Sequence, residues 1–292
     1  MPPLRKFGKS EVLQVYESHP LSLYTIVNRL RASGADMSVL TEADLAIDNA
    51  TELTDQNHIG GLSFVRQLAE HAGVTPKSKV LDLGCGLGGS ARALAWMFGC
   101  RVHGIDFSAT RCQHARRLNQ LVGLTRLVSV QCGDFMTAQV PTEHFDVVWG
   151  QSAWCHISDR TTLIRRWSQA LKLGGRIAIE DAVLLMEPAP HVRRILSRLE
   201  GQWKAYLVPI ADWLGSLRAA GFTVRRVEDV SAAMIDHFAG LIKASHEAPI
   251  KETIAWKDAV RLGECGIIGY MRLIAELSPT EEVGLMDRQV SP

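Results

Sequence analysis

The sequence predicts an α/β fold: a parallel sheet with helices on both faces. Three observations predict it. From Lys79 onward, short apolar runs alternate with helical patterns. A glycine-rich turn, Gly84-Cys85-Gly86-Leu87-Gly88-Gly89, separates the first of those runs from the helix behind it. The region up to about Gly73 has no strand pattern and reads as helices packed across the sheet, with Phe64, Val65, Leu68 and Ala72 facing inward.

Each element follows from local pattern. Val80 to Leu83 is a short buried strand, and a helix runs from the glycine turn through about Phe98. Arg101 to Asp106 is the second strand. Ser108 is placed to cap the next helix, whose Cys112, Ala115, Leu118 and Val122 recur at spacings of three and four. Leu127 to Gln131 and Phe145 to Gly150 are strands three and four. The helix after them shows Leu163, Ile164, Trp167, Ala170 and Leu171 on one face and ends at Gly174-Gly175. Arg176 to Leu184 is strand five. Pro188, Pro190 and Pro209 then interrupt a helical, Trp-containing stretch, before a helix over Ala211 to Ala220. Phe222 to Val230 and Ile267 to Glu276 are the last two strands. The helical segment between them is long for a connection within a sheet and reads as an insertion over one end.

The chain has 292 residues, 47% hydrophobic and 22% charged, which excludes collagenous, disordered and disulfide-scaffold classes. Lys plus Arg number 32 against 31 Asp plus Glu, so no global field draws nucleic acid or an anionic membrane. Met1 to Gly34 is broken by charges and has no apolar stretch of signal or membrane-span length, which predicts a cytoplasmic protein. The six cysteines form no C-x-x-C pair and no zinc-ligand spacing, so no metal is predicted.

The glycine turn reads either as G-x-G-x-G or as the dinucleotide fingerprint G-x-G-x-x-G. In both, glycines let a ligand approach the backbone and the N-terminus of the following helix. Asp82 stands two residues before the first glycine, Asp106 ends the second strand where a carboxylate reaches both ribose hydroxyls, and Gly133-Asp134-Phe135 follows the third strand. This arrangement resembles the class I S-adenosylmethionine-dependent methyltransferases. The resemblance implies that Asp82 anchors the methionine ammonium, that Gly84, Gly86 and Gly88 line the cofactor, and that Asp106 holds the ribose. It further implies that Asp134 accepts from the adenine amino group between Phe107 and Phe135. For each Asp alone, a helix cap or solvated turn is the alternative.

Trp149 to His156 lies beyond the fourth strand, where a methyl acceptor must approach. The Asn/Asp-Pro-Pro-aromatic and Pro-Cys motifs of nucleic-acid methylases are absent, and the Asp and Asp-Asn pattern of metal-dependent catechol enzymes is not met. The Gln-Ser-Ala-x-x-His pattern, together with Asp55 to Gly61, resembles the branch that includes sarcosine/dimethylglycine, phosphoethanolamine and tocopherol-type enzymes. Gln151, at its head, is grouped with the cofactor residues. Ser152 stands where an Asp is common. His156 is the first candidate general base, with His58 and Asp181 behind it. The alternative for His156 is a loop imidazole bonded to backbone ahead of a helix capped by Ser158 or Asp159. Seven Trp are plentiful, and Ser152, Trp154, Trp203 and Trp256 are candidates for the acceptor pocket, by stacking or cation–π contact, with core packing as the alternative.

The sequence thus predicts a Rossmann-like seven-stranded methyltransferase sheet with an N-terminal helical cap and an inserted helical lid. Residues 1–73 are the cap, 74–184 the cofactor-binding core, 185–210 a lid segment, 211–231 core, 232–264 the lid insertion, and 265–292 the last strand and C-terminal tail. The expected activity is methyl transfer from S-adenosylmethionine to a nitrogen, carbon or oxygen of a small organic metabolite, within specialised metabolism. Small-molecule substrates, no nucleic acid and no membrane are the expected partners, and for assembly only the general preference for a homodimer applies. Two alternatives stay open: a protein on the same fold that binds the cofactor without transferring methyl, and an NAD(P)-dependent oxidoreductase.

Overall fold

The computed structural model describes residues 7–46, 54–244 and 250–278. The C-terminal tail after Ser278, residues 1–6 of the cap and two short internal stretches lie outside the described residues.

Four helices precede the sheet: α1 (Lys9–Glu17), α2 (Leu23–Ala32), α3 (Glu42–Ala46) and α4 (Gly61–Ala72). There follow β1 (Lys79–Leu83), α5 (Gly89–Phe98), β2 (Arg101–Asp106), α6 (Ala109–Leu121), β3 (Val128–Cys132), β4 (Phe145–Gln151), α7 (Arg160–Ser168) and β5 (Leu171–Leu184). The chain ends through α8 (Pro190–Trp203), α9 (Ile210–Ala219), β6 (Phe222–Asp229), α10 (Ser231–Ala244), α11 (Ile250–Glu264) and β7 (Ile268–Leu277). Caps set the helix starts: the Ser108 hydroxyl accepts from Arg111 N, and Asp159 accepts from Thr162 N at 2.9 Å.

The seven strands run in the order β3-β2-β1-β4-β5-β7-β6. Strands β1 to β5 pair in parallel, and β7 alone runs antiparallel, against both β5 and β6. The seven-stranded sheet is thus the one expected, parallel throughout except at β7. Two helices, α10 and α11, rather than one stand between β6 and β7, and β7 enters antiparallel to β6. This insertion also departs from the 3-2-1-4-5-6 order of dinucleotide-binding sheets, so the topology does not favour the nicotinamide alternative.

A correction concerns Leu171 and Gly174-Gly175. The helix stops at Ser168 and these residues open β5. Leu171 pairs with Phe145 and Arg176 with Val147, so residues 172–175 bulge out between two ladder positions.

Alternation along the strands sorts side chains to two cores. Val148, Ile177 and Ile179 face α7 and α9, where Leu163, Trp167, Trp213 and Leu217 are buried. Val147, Trp149 and Ala178 face α4 and α5, where Val65, Leu68, Ala91 and Leu94 are buried. Trp167 and Trp213 are almost fully buried; at about 25 cal/mol per Å2 over roughly 200 Å2, each contributes about 5 kcal/mol before entropy is subtracted. Helices α8, α10 and α11 form a third cluster with the ends of β5 and β7, around Leu196, Leu199, Met234, Ala259, Leu262 and Ile268. Among the described residues no helix is long and apolar enough to cross a membrane.

Candidate active site

The order reverses between β1 and β4, and a cavity of about 300 Å3 opens there, beyond the carboxyl ends of the strands. Its floor is the turn between β1 and α5. Gly84 has φ of 83°, and a Cβ there would lie 2.5 Å from that of Ala153. At Gly89 the constraint is contact alone: a Cβ would stand 2.3 Å from the Asp55 carbonyl oxygen. Asp106, at the end of β2, fixes this turn to the next helix by accepting from Gly86 N at 2.9 Å and Ser108 N at 2.8 Å.

Asp82 is 2% exposed, and its Oδ2 has no hydrogen-bond partner. Burial, then the nearby charge of Asp106, pushes its carboxyl up to about 7. Asp134, after β3, accepts from Met136 N at 2.8 Å and is ion-paired to Lys9 of α1. Phe107 and Phe135 line the same end of the cavity.

Behind the turn lies a buried ion cluster. Arg92 of α5 donates to Glu42 (2.9 Å), Asp55 (2.6 Å), Asn119 (3.0 Å) and the Leu87 carbonyl (2.7 Å). Gln56 Nε2 donates to Glu42 and Asp55. Two segments of the cap are thereby tied to the first turns of α5.

The other end of the cavity is framed by β4 and the turn after it. Ser152 has φ of 51°, a conformation that costs energy for a residue with a Cβ; its hydroxyl bonds Tyr270 Oη at 2.6 Å. His156 closes this end. Its Nδ1 lies 3.0 Å from the Lys204 carbonyl, which can only accept, so Nδ1 carries the proton. Nε2 is then bare and accepts from the Tyr16 phenol at 2.7 Å. Burial lowers the His156 pKa and raises that of Tyr16, so both are neutral near pH 7. The guanidinium of Arg111 stacks on the other side of Tyr16, 4.5 Å from the ring centre. Phe7 and Tyr206 complete the wall, with Tyr206 Oη accepting from Phe7 N.

The structure brings together on the cavity wall Asp82, Gly84, Gly86, Asp106, Phe107, Asp134, Phe135, Gln151, Ser152, His58 and His156. Others stand elsewhere. Gly88 is not on the wall; it packs against Arg92, whose NH1 would be 2.9 Å from a Cβ. Asp181 is absent from the wall, since both its oxygens accept backbone N–H groups, from Cys155 (2.8 Å) and Ala182 (2.9 Å). Trp154 is fully buried beneath Gly150 and stacked on Trp213, Trp203 stacks on Phe238, and half-buried Trp256 sits on α11. None of the three Trp reaches the cavity, and α8, α10 and α11 supply no wall residue among those described. The aromatic side chains at this end of the cavity, Phe7, Tyr16 and Tyr206, come instead from α1, the residue before its cap and the segment after α8. His58 is on the wall but held at both ring nitrogens, by Ile59 O and Gln56 Oε1, and burial pushes it down to about 4. The Gln151 amide is engaged by Ser90, Trp149 and Glu180.

Sequence reasoning missed Tyr16, Arg111, Phe7 and Tyr206. Arg111 had a signal, three residues past the Ser108 cap on the helix that follows Asp106. Tyr16 and Tyr206 had none, because their places depend on how α1 and the segment after α8 fold back over the sheet.

Residues 81–179 match the family model described as "Methyltransferase domain". The sterol 24-C-methyltransferase of Eremothecium gossypii is 34% identical over 182 residues, 58% of this chain and 48% of the relative. Phosphoethanolamine N-methyltransferase 1 of Arabidopsis thaliana is 35% identical over 122 residues, 42% of this chain and 24% of the relative. The chain thus spans about half, or less, of the length of these curated relatives. A geranyl diphosphate methyltransferase solved with GPP and sinefungin superposes with a TM-score of 0.72 at 17% identity, over 91% of this chain and 98% of that one, which shows the fold. Over residues 81–179, about a third of its length, the chain is therefore similar to methyltransferase domains.

Proposed function

We propose that the protein transfers a methyl group from S-adenosylmethionine to a small organic metabolite. One observation carries the reading: Asp82 is a buried carboxylate with an unpartnered oxygen, on a cavity wall between a glycine turn and Asp106. A lone buried charge is costly, and a ligand ammonium satisfies it. Asp106 has lone pairs left for two ribose hydroxyls, and Asp134, on the same wall as Phe107 and Phe135, for an adenine amino group. These residues fit the donor molecule.

When bound, S-adenosylmethionine supplies a methyl group on a sulfonium centre. Displacement there needs alignment and exclusion of water more than acid–base strength. His156, neutral and with Nε2 bare, is the base in this reading. An acceptor that hydrogen-bonds to Tyr16 Oη passes its proton to the phenol while the phenol proton moves to Nε2. We place the reaction in the cytoplasm, in specialised metabolism, on small molecules rather than nucleic acid or membranes, in a homodimer. The near-neutral net charge of +1 supports the choice of partner class, and light scattering reads the assembly.

Calorimetry with S-adenosylhomocysteine tests the donor site; absence of binding sinks the reading. Incubation with trideuteromethyl S-adenosylmethionine and a metabolite extract, followed by mass spectrometry, tests transfer and identifies the methylated atom.

A further inference from the structure

On that reading of the site as a methyltransferase, we infer that the acceptor arrives without positive charge and is methylated on the oxygen of a phenol- or enol-type hydroxyl, held at Tyr16 and His156 beside Arg111.

The carboxylates on the cavity wall carry the first half. Asp55 is bound by Arg92 and Gln56. Asp159 accepts from Thr162 N at 2.9 Å and Thr162 Oγ1 at 2.6 Å. Asp106 accepts from two backbone N–H groups, and Asp134 from Met136 N and from Lys9. Asp134 Oδ2 lacks a hydrogen bond but is ion-paired to Lys9, so among the described wall carboxylates Asp82 keeps an oxygen that neither a hydrogen bond nor an ion pair occupies, and the donor's own ammonium takes it. The charge of Asp106 reaches Tyr16 and His156, but that carboxylate is assigned to the ribose, so on this reading no wall carboxylate is left to pair with an ammonium acceptor.

Cations carry the second half. Arg111 is 4% exposed and on the cavity wall, yet its Nε and NH1 have no hydrogen-bond partner. Among the described residues no carboxylate lies within ion-pair distance of it, although the charge of Asp106 reaches it; its contacts include the Tyr16 ring and, at 3.4 Å, the Tyr16 carbonyl. The Phe7 ring likewise carries a cation on one face, Lys204 Nζ at 5.4 Å. Rings already occupied by cations repel a third one and favour developing negative charge.

The Tyr16–His156 pair selects among uncharged and anionic acceptors. A carboxylate has no proton to lose and needs no base, whereas a phenol near pH 7 does. The step balances. The acceptor O–H proton passes through Tyr16 to His156 Nε2, the oxygen lone pair forms the O–CH3 bond, and the S–CH3 bond breaks with its electron pair remaining on sulfur. Arg111 faces the negative charge that gathers on the phenol and acceptor oxygens.

The test begins with calorimetry of S-adenosylhomocysteine, since failure there removes the methyltransferase reading before this one. The loaded protein is then titrated with 4-nitrophenol, below the pH of the probe's own ionisation, and separately with tetramethylammonium. The expected result is binding of 4-nitrophenol with growth of its phenolate absorption, at least tenfold tighter than tetramethylammonium. Arg111→Met should weaken 4-nitrophenol at least tenfold, Arg111→Lys should restore part of it, and S-adenosylhomocysteine affinity should change less than threefold. The inference is overturned if tetramethylammonium binds as well as 4-nitrophenol, if 4-nitrophenol does not bind or binds un-ionised, or if heavy methyl from the labelled donor appears on an amine. Should Arg111→Met fail to fold, the wild-type spectrum and the Lys variant still decide.

Discussion

Tyr16 and His156 stand 140 residues apart in the chain, and the phenol of one donates to Nε2 of the other at 2.7 Å. A residue of the cap thereby completes the chemistry of a loop on the sheet. Tyr16→Phe should lower kcat about 10- to 100-fold and leave S-adenosylhomocysteine affinity unchanged, as for loss of one member of a proton-transfer pair. In the proposed reaction His156 is the neutral base, and burial holds its pKa below the usual range. Activity should therefore persist below the ordinary imidazole value of about 6.5 before it falls with acid; a pH–rate profile reads this directly.

Asp82 sets a second pH dependence, in the opposite range. Its carboxyl is pushed up to about 7, and a bound ammonium requires the ionised form. Below pH 7, S-adenosylhomocysteine affinity should weaken by about tenfold per unit, measured by calorimetry. The folded pKa is raised, so this group costs stability increasingly as pH rises from about 4 to about 7. Asp82→Asn should accordingly raise stability at pH 8 by about 1–3 kcal/mol while abolishing tight binding.

The Arg92 cluster is buried and fully bonded, so removing its cation leaves Glu42 and Asp55 facing each other without compensation. Arg92→Met should cost about 3–5 kcal/mol in urea unfolding.

Trp154 is a core residue stacked at 6.2 Å on Trp213. Trp154→Ala should cost about 3–5 kcal/mol, while the fraction that stays folded binds S-adenosylhomocysteine normally. Thermal melts with and without that ligand separate the two effects.

Strand periodicity and the glycine turn made the sheet legible, because each depends on neighbours a few residues away: Arg101–Asp106 and the Ser108 cap stand where the pattern predicts. The direction of β7 was not legible, since Ile268–Leu277 has the same apolar pattern in either orientation. The glycines at 174 and 175 look alike as a helix end or a strand bulge, and only pairing with β4 distinguishes these. That Asp82, Asp106 and Asp134 reach one cavity was readable because each lies at or just beyond the carboxyl end of a strand. The acceptor side was not, because Trp is equally at home in a core, and because Tyr16 and Tyr206 reach the cavity through packing between distant segments.

The position of β7 has a consequence for synthesis on the ribosome. Its Arg272 binds Glu180 at 2.5 Å, Glu180 binds Gln151, and Gln151 binds Ser90 at the start of α5. These groups run from the last strand to the first turn of the site. A nascent chain that has emerged only through β6 holds Glu180 without its cation and β5 with a bare edge, open to pairing with another chain. This wall of the cavity is therefore completed only on arrival of β7, after the other described strands, and a stop codon before residue 268 costs the centre of the molecule rather than its margin.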